Sequence, residues 1–241
     1  MNITIFLTTR YHSTRLFAKP LMIIGEDTVT DILIERLKNS GLDIIMVTPM
    51  TTEDNLYMSN LASEHGIGFF AGNNKDIIQR HLDCAAISEI DWIINVDGDD
   101  ILTCPDLILG VQSLIEHANA ANYEGFNYDC IQLIGYPLGM NLIAYTPGRL
   151  AKVDYHKDTN WGSKVLAAGQ VLEASGTQYN ECRLTLDYIP DYIVISHIIK
   201  ELGKKVDSKE ICDYMSKHPG LCAVNWYLND IYYQRLADLS K

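Results

Sequence analysis

Short segments that are apolar on both faces constrain the fold of this chain more than any other feature. ITIFL (3–7) and LDIIMVTP (42–49) are rich in β-branched and aliphatic residues. A strand without a polar face has to be covered on both sides, which is typical of parallel sheets that lie between helices. IGFFAG (67–72) and DWIINVDGDD (91–100) are two further strand candidates, the second ending in acidic residues. The pattern predicts the buried strands of a parallel sheet.

Helical patterns separate these strands along the chain. Apolar residues recur at helical spacing in 28–41, where Gly41 is a typical helix end. Three more helices are predicted over 51–66, 74–89 and 105–120. Strands that alternate with helices in this way predict an α/β fold with helices on both faces of the sheet.

The second half of the chain is less regular. Residues 126–182 predict two or three antiparallel strands and a loop-rich insertion. Three helices are predicted after it, over 190–204, 208–219 and 225–241. The last is rich in aromatic residues and packs either on the body of the protein or on a second subunit. A length of 241 residues without an internal repeat suits one domain over 1–241, with 126–182 as an extension and 208–241 as C-terminal helices.

The composition of the chain limits the classes of partner that it is expected to bind. The chain carries 31 acidic and 19 basic residues, a formal charge of −12, which argues against general nucleic-acid binding and makes a local basic cluster more informative. The six cysteines are scattered without a C-x-x-C pair, so we expect reduced thiols rather than a disulfide framework or a zinc site. The first residues lack a positively charged region and their apolar run is short, so we expect no signal peptide there. No stretch reaches the roughly 18 apolar residues of a membrane span. We expect a cytoplasmic protein without membrane contact.

A basic cluster follows the first strand. Arg10, Arg15 and Lys19 occur within LTTRYHSTRLFAKPL (7–21), together with Ser13. Ligands of open α/β sheets bind at the carboxyl ends of the strands, where such a loop lies. Its charged and hydroxyl groups suit two or three phosphates, although the loop is neither a Walker A nor a G-x-G-x-x-G sequence. A basic loop that is merely solvated is the other interpretation.

Two acidic elements stand at other predicted strand ends. VDGDD (96–100) concentrates Asp97, Asp99 and Asp100, whose hard oxygen ligands suit Mg²⁺ or Mn²⁺. RLTLD (183–187) predicts a strand that ends in Asp187, which would bring a further carboxylate to that metal. An acidic turn and a helix N-cap are the simpler interpretations of the two elements.

Five elements resemble, in the same order, the CTP-dependent cytidylyltransferases that activate acidic sugars. RYHSTRLFAKPL is similar to the signature R-x-x-S-x-R-L-x-x-K-x-L, and VDGDD falls at the family's G-D. GNNKDIIQRHL, YPLGMNLIAY and RLTLDYIPDY resemble elements of the spore-coat polysaccharide biosynthesis protein F group, which stands beside the CMP-Kdo synthetases and acylneuraminate cytidylyltransferases. The resemblance implies a Rossmann-like nucleotide-diphospho-sugar transferase (GT-A-like) fold, with a mostly parallel sheet and a small antiparallel extension.

The resemblance also implies a reaction. CMP would be transferred from CTP to an acidic sugar or a related small acceptor, with release of pyrophosphate and with Mg²⁺ (or Mn²⁺) as cofactor. Arg10, Ser13, Arg15 and Lys19 match the residues that hold the triphosphate. Arg10 and Lys19 would also stabilise charge at the α-phosphate, so they are the candidate catalytic residues.

Further roles follow from the same motifs. Asp99 and Asp187 match the family's metal-binding carboxylates. Asp97 stands where relatives often have Gln or Thr, and we add it to the CTP site on our own inference. The residues that match the segment near the cytosine are Gly72, Asn73 and Arg80.

The chain departs from the family on the acceptor side. Asn141 and Ile143 stand where relatives usually have D-x-E, DTNWGSKV (158–165) replaces an R-E-H-V element, and Phe17 and Ala18 replace Pro-Gly beside the phosphate loop. We expect CTP binding to be retained and the acceptor to differ from Kdo or a sialic acid. A nonulosonic acid, another small acid, a phosphorylated alcohol and a phosphonate stay open. Candidate acceptor contacts are Asn141, Trp161 and Lys164.

Two other functions stay open. VDGDD also resembles the D-x-D of GT-A glycosyltransferases, which bind a metal and a sugar nucleotide but do not need the basic signature at 10–19. The second possible function is that of a non-catalytic, nucleotide-binding relative of the family. The joint presence of Arg10, Lys19, Asp99 and Asp187 argues against it. The family pattern points to surface-polysaccharide or glycoconjugate precursor synthesis and leaves a homodimer open.

Overall fold

The computed structural model describes residues 1–122, 128–157, 159–176 and 181–239, and within these ranges the chain forms nine strands and ten α-helices. The strands are β1 (Ile3–Thr8), β2 (Ile23–Ile24), β3 (Asp27–Thr28), β4 (Asp43–Pro49), β5 (Gly68–Gly72), β6 (Trp92–Asp97), β7 (Cys130–Ile134), β8 (Leu142–Tyr145) and β9 (Leu172–Ser175). The helices are α1 (Val29–Lys38), α2 (Ser59–Glu64), α3 (Ile77–Ile87), α4 (Pro105–Asn122), α5 (Pro147–Leu150), α6 (Trp161–Ala167), α7 (Ile189–Leu202), α8 (Ser208–Lys217), α9 (Pro219–Ala223) and α10 (Leu228–Leu239). A 3₁₀ turn lies at Lys19–Leu21 and a π-helical turn at Asp54–Met58.

Seven strands form one sheet in the order β5-β4-β1-β6-β8-β7-β9. The pairs β5–β4, β4–β1, β1–β6 and β7–β9 are parallel, whereas β8 runs antiparallel to β6 and to β7. β2 and β3 form a small antiparallel sheet of their own. The predicted α/β fold with a mostly parallel sheet and an antiparallel extension is confirmed.

The side chains of β1 alternate between two cores. Ile5 and Leu7 belong to the core that includes α1, α4 and α7, whereas Phe6 belongs to the core that includes α3, α5 and α6. All three side chains are fully buried, and burial of each contributes about 2 kcal/mol to folding. β1 is therefore covered on both faces, as its apolar sequence predicts. None of the described helices is long and apolar enough to cross a bilayer.

The predicted strand at 183–187 does not form. Arg183 makes an isolated bridge to Leu138, and the Leu186 amide donates instead to the carbonyl of Asp99 at 2.8 Å. The Asp187 amide donates to the Asp191 carboxylate at 2.9 Å. Because the backbone of this segment bonds to different partners in turn, it cannot build a ladder.

Other differences are local. β9 runs parallel to β7, so the extension is not wholly antiparallel. The helix predicted over 51–66 begins with the π-helical turn. The helix predicted over 208–219 ends at Lys217, because Pro219 lacks an amide proton and starts a separate short helix. Parts of the 126–182 extension, at 126–127, 158 and 177–180, lie outside the described residues.

The expectation of reduced cysteines was wrong for one pair. Cys182 and Cys222 form a disulfide, although 40 residues separate them in sequence. The other four cysteines are buried and form no disulfide among the described residues: Cys84, Cys104, Cys130 and Cys212. No local spacing marks the pair, because the fold alone brings α9 against the segment that precedes Arg183.

Candidate active site at the carboxyl ends of β1 and β6

A cavity of about 480 Å³ opens where β1 and β6 end. These strands are parallel neighbours, and their last residues, Thr8 and Asp97, are paired in register. The basic loop after β1 and the acidic turn after β6 therefore meet in one place, as is usual for ligand sites of open α/β sheets. All the residues predicted for the site line this cavity except Gly72, Asn73 and Lys164.

Lys19 joins the two acidic elements. Ala18 adopts a left-handed conformation with φ 48°, and the 3₁₀ turn starts at Lys19. The Lys19 Nζ donates to Asp99 Oδ2 at 2.9 Å and to Asp187 Oδ1 at 3.3 Å. Burial lowers the pKa of this ammonium, but the two carboxylates outweigh burial, so the pKa of Lys19 is raised. The buried cation therefore stays charged between its partners.

Asp187 is held by arginines as well. Arg15 Nη2 lies 2.6 Å from Asp187 Oδ1, and Arg183 Nη2 donates to Asp187 Oδ2 at 2.9 Å. Arg183 Nε also donates to Asp191 Oδ1 at 3.0 Å, and Asn225 donates to that same oxygen at 2.8 Å. Both Arg183 and Asp191 are fully buried. Neither residue is among the predicted site residues, although both belong to the RLTLDYIPDY motif.

The acidic turn is crowded with negative charge. One oxygen from each of Asp97, Asp99 and Asp100 lies within 4.8 Å of the others. Burial and the Asp99 charge raise the pKa of Asp97 to about 7. Burial also raises the pKa of Asp99, but Lys19 and Arg15 outweigh it, so the pKa of Asp99 lies below its ordinary value. The turn is a set of hard oxygen donors that a divalent cation would stabilise.

Of the three residues predicted to lie near the cytosine, only Arg80 lines the cavity. A Cβ at Gly72 would lie 2.6 Å from the Phe70 ring, so this strand end requires glycine. The Asn73 side chain accepts from the backbone amides of two residues of its own turn, each at 3.0 Å. The backbone carbonyl of Asn73 accepts from Arg80 Nε at 2.8 Å, and Arg80 lines the cavity. Gly72 and Asn73 therefore shape the turn that orients Arg80.

Of the three predicted acceptor contacts, Asn141 and Trp161 line the cavity and Lys164 does not. Asn141 lines the cavity, but its side chain accepts from the Tyr136 amide at 3.1 Å and donates to the carbonyls of Tyr136 and Pro137. Trp161 starts α6, lines the cavity and is 7% exposed. Lys164 is exposed and lies 5.6 Å from the centre of the Tyr155 ring.

The C-terminal helix contributes to the site. Tyr232 of α10 lines the cavity, and the Arg183 guanidinium lies 5.6 Å from the centre of its ring. Asn229 is buried and accepts from Arg183 at 3.5 Å. Leu228, Asn229 and Tyr232 therefore pack on the body of the protein, which is one of the two possibilities stated for the last helix.

Comparison with known proteins identifies the family. Residues 4–134 match the family described as Cytidylyltransferase. The chain belongs to the cytidylyltransferase family. An uncharacterized protein of Methanocaldococcus jannaschii is 28% identical over 240 residues, which cover 93% of this cytidylyltransferase and 95% of that protein. The 3-deoxy-manno-octulosonate cytidylyltransferase of Fusobacterium nucleatum is 31% identical over 112 residues, which cover 46% of this chain and 43% of that enzyme.

Solved structures share the fold of this cytidylyltransferase. A cytidylyltransferase from Leptospira borgpetersenii superposes with a TM-score of 0.82 at 23% identity, covering 92% of this chain and 97% of that one. A CMP:2-keto-3-deoxy-manno-octonic acid synthetase complexed with CTP superposes with a TM-score of 0.61 at 14% identity, covering 83% of this chain and 99% of that one. The resemblance inferred from the motifs is confirmed for family and fold, and the chain is a CTP-dependent nucleotidyltransferase.

Proposed function

We propose that this cytidylyltransferase transfers CMP from CTP to an acidic sugar or a related small acceptor, in the synthesis of surface-polysaccharide or glycoconjugate precursors. One observation carries the proposal. Cations of the loop after β1 and the carboxylates Asp99 and Asp187 converge in one cavity. A nucleoside triphosphate and its metal are the substrate parts that need both signs of charge in one place.

The phosphate loop supplies the groups for the triphosphate. Arg10, Arg15, Lys19 and Ser13 all line the cavity. An acceptor oxygen attacks the α-phosphorus, a new phosphorus–oxygen bond forms, and the bond to the β-phosphate oxygen breaks as pyrophosphate leaves. The acceptor proton goes to solvent. Arg10 and Lys19 stabilise the charge that develops at the α-phosphate, so catalysis rests on positioning and electrostatics.

The acidic residues fit a hard divalent cation. The donor set consists of carboxylate oxygens, which Mg²⁺ and Mn²⁺ prefer. Asp99 and Asp187 already share one cation, the Lys19 ammonium. Asp99 and Asp187 would hold the metal, with Asp97 beside them. The ion would neutralise phosphate charge, while Lys19 and Arg15 remain close enough to bind the nucleotide.

Neutral groups on the acceptor side support an acceptor other than Kdo. Asn141 and Ile143 both line the cavity at the positions where the family's D-x-E stands. Trp161 also lines the cavity, whereas the role of Lys164 stays a prediction that rests on the sequence. Gly72, Asn73 and Arg80 are proposed to recognise the cytosine, the first two through the shape of their turn. A cytoplasmic location and a homodimer belong to the same proposal.

Pyrophosphate release tests this function. The assay supplies CTP, UTP, ATP or GTP with Mg²⁺ and a panel of nonulosonic acids, other small acids, phosphorylated alcohols and phosphonates. We expect release with CTP in the presence of one acceptor class, lost in Asp99→Ala and kept in the control Asp43→Ala. Asp43 is an exposed residue at the opposite end of the sheet. Release with another nucleotide, or activity that survives in Asp99→Ala, would contradict the proposal.

A further inference from the structure

A series of buried and partly buried hydrogen bonds ends on Asp97. Thr8 Oγ1 donates to Asn95 Oδ1 at 2.6 Å, and Asn95 Nδ2 donates to Asp97 Oδ1 at 3.0 Å. On the other side, Thr8 Oγ1 lies 3.0 Å from His81 Nε2, and His81 Nδ1 lies 2.9 Å from the Tyr145 hydroxyl. These five residues form what we call the Tyr145–Asp97 relay. Its members come from β1, β6, α3 and β8, so the tertiary fold alone assembles it.

The chemistry of the groups fixes the direction of each hydrogen bond. Asn95 donates from its NH₂ group to Asp97 and turns its carbonyl oxygen to Thr8. That oxygen takes the single hydroxyl proton of Thr8, so His81 Nε2 has to donate to the Thr8 oxygen. Burial and the Arg80 charge lower the pKa of His81 to about 3, so the imidazole is neutral and has one N–H. His81 Nδ1 is then an acceptor, and the Tyr145 hydroxyl donates to it.

Every donor in the relay therefore points towards Asp97. Hydrogen bonds that are aligned in one direction polarise one another, which strengthens the last bond, from Asn95 to Asp97. His81 and Tyr145 are fully buried, and Asn95 is 5% exposed, so the orientation of the series is fixed by packing. A purely structural network would need its own polar groups satisfied, but it would not need to end on a carboxylate of the cavity.

We propose that the Tyr145–Asp97 relay positions the Asp97 carboxylate towards the divalent cation of the active site, with Asn95 and Thr8 as positioning residues. This inference rests on the proposed metal role of the acidic turn. Loss of a residue that orients a metal ligand typically weakens metal binding about tenfold or more. The relay would therefore set the affinity for the metal and leave the fold intact when it is interrupted.

Threonine substitutions in two neighbouring strands test the relay. Thr8→Val removes the hydroxyl that links His81 to Asn95 and keeps the side-chain shape. Thr48→Val in β4 is the matched control, because Thr48 is fully buried and its hydroxyl has no partner among the described residues. Tyr145→Phe interrupts the relay at its far end, at a residue that does not line the cavity.

Manganese binding is the readout, measured by electron paramagnetic resonance of the free ion with the protein alone. We expect Thr8→Val to weaken Mn²⁺ binding about tenfold, Tyr145→Phe to weaken it in the same direction, and Thr48→Val to leave it unchanged. Equal affinity in wild type, Thr8→Val and Tyr145→Phe would overturn the relay and leave the metal site intact. A wild type that binds no Mn²⁺ would overturn the proposed metal role and the relay's part in it together.

The direction of the relay has a test of its own that does not depend on metal. Nitrogen chemical shifts of ¹⁵N-labelled histidine report which ring nitrogen carries the proton. We expect His81 to carry it on Nε2 and to show no titration between about pH 5 and pH 8. A proton on Nδ1, or a titration near neutral pH, would refute the order of donors and acceptors.

Discussion

His81 makes the stability of this protein depend on pH. The pKa of His81 is lowered from 6.5 to about 3, because burial disfavours the imidazolium and the neighbouring Arg80 repels it. In the unfolded chain the same imidazole takes up a proton at its ordinary pKa of about 6.5. Between these two values the unfolded state binds more protons than the folded state. The free energy of unfolding therefore falls as the pH falls through this range.

The size of the effect follows from the two pKa values. One pKa unit corresponds to about 1.4 kcal/mol. At about pH 5 the unfolded imidazole is protonated and the folded one is still neutral, which destabilises the fold by about 2 kcal/mol relative to pH 8. This is a substantial part of the roughly 5–15 kcal/mol by which a protein of ordinary stability is folded.

Denaturant unfolding of wild type and His81→Gln measures this contribution. Glutamine does not titrate, whereas all other ionisable groups are common to both proteins. We expect wild type to be the more stable at pH 8, and the difference in free energy of unfolding to shrink by about 2 kcal/mol by pH 5. A difference that stays constant from pH 8 to pH 5 would show that His81 titrates equally in both states and would contradict the lowered pKa of the folded protein.

Three further changes probe the site and its support. A Cβ at Gly98 would overlap the Thr9 side chain, so we expect Gly98→Ala to lower the free energy of unfolding by about 1–3 kcal/mol. The same change should weaken CTP binding measured by calorimetry. An unchanged free energy of unfolding and an unchanged CTP affinity would contradict this role of Gly98 in the turn. Lys19→Met removes the ammonium shared by Asp99 and Asp187, so pyrophosphate release should fall about 10²–10³-fold at saturating CTP, and a rate within twofold of wild type would rule out its role. Cys182 and Cys222 are 40 residues apart in sequence, so reduction of their disulfide should lower the free energy of unfolding by about 4 kcal/mol. An unchanged melting temperature after reduction, or six reactive thiols in the unreduced native protein, would refute the pairing.

The two halves of the site that meet at the ends of β1 and β6 were predictable. Arg10, Lys19 and Asp99 each follow an apolar strand, and parallel strands bring their carboxyl ends to the same edge of the sheet. The motifs then gave each residue a role. Local sequence sufficed here because strand period and loop position are local properties.

The segment 183–187 shows where local pattern fails. Leu184 and Leu186 are fully buried, so the alternation that predicts a strand is real. Their amides, however, donate to Leu138 at 2.7 Å and to Asp99 at 2.8 Å, two carbonyls from different parts of the chain. Burial pattern fixes which side chains face the core, but it does not fix which backbone groups are near enough to pair.

The relay and the disulfide could not be found for a related reason. Thr8, Asn95, His81 and Tyr145 lie on four different elements. His81 and Tyr145 fall within GNNKDIIQRHL and YPLGMNLIAY, but neither motif indicates that the two side chains meet. The common property of the four residues, a chain of donors and acceptors, exists only after the sheet order places β6 between β1 and β8. Polar groups in a core are specified by their partners, and partners are set by topology.

Calorimetric titration of the wild-type protein with CTP, UTP, CMP and a UDP-sugar in the presence of Mg²⁺ tests the central claim most directly. We propose that the cations of the cavity hold the triphosphate and that Arg80, oriented by the turn at Gly72 and Asn73, recognises cytosine. CTP should then bind about tenfold or more tightly than either UTP or CMP. Tighter binding of the UDP-sugar than of CTP would contradict the account and favour glycosyl transfer.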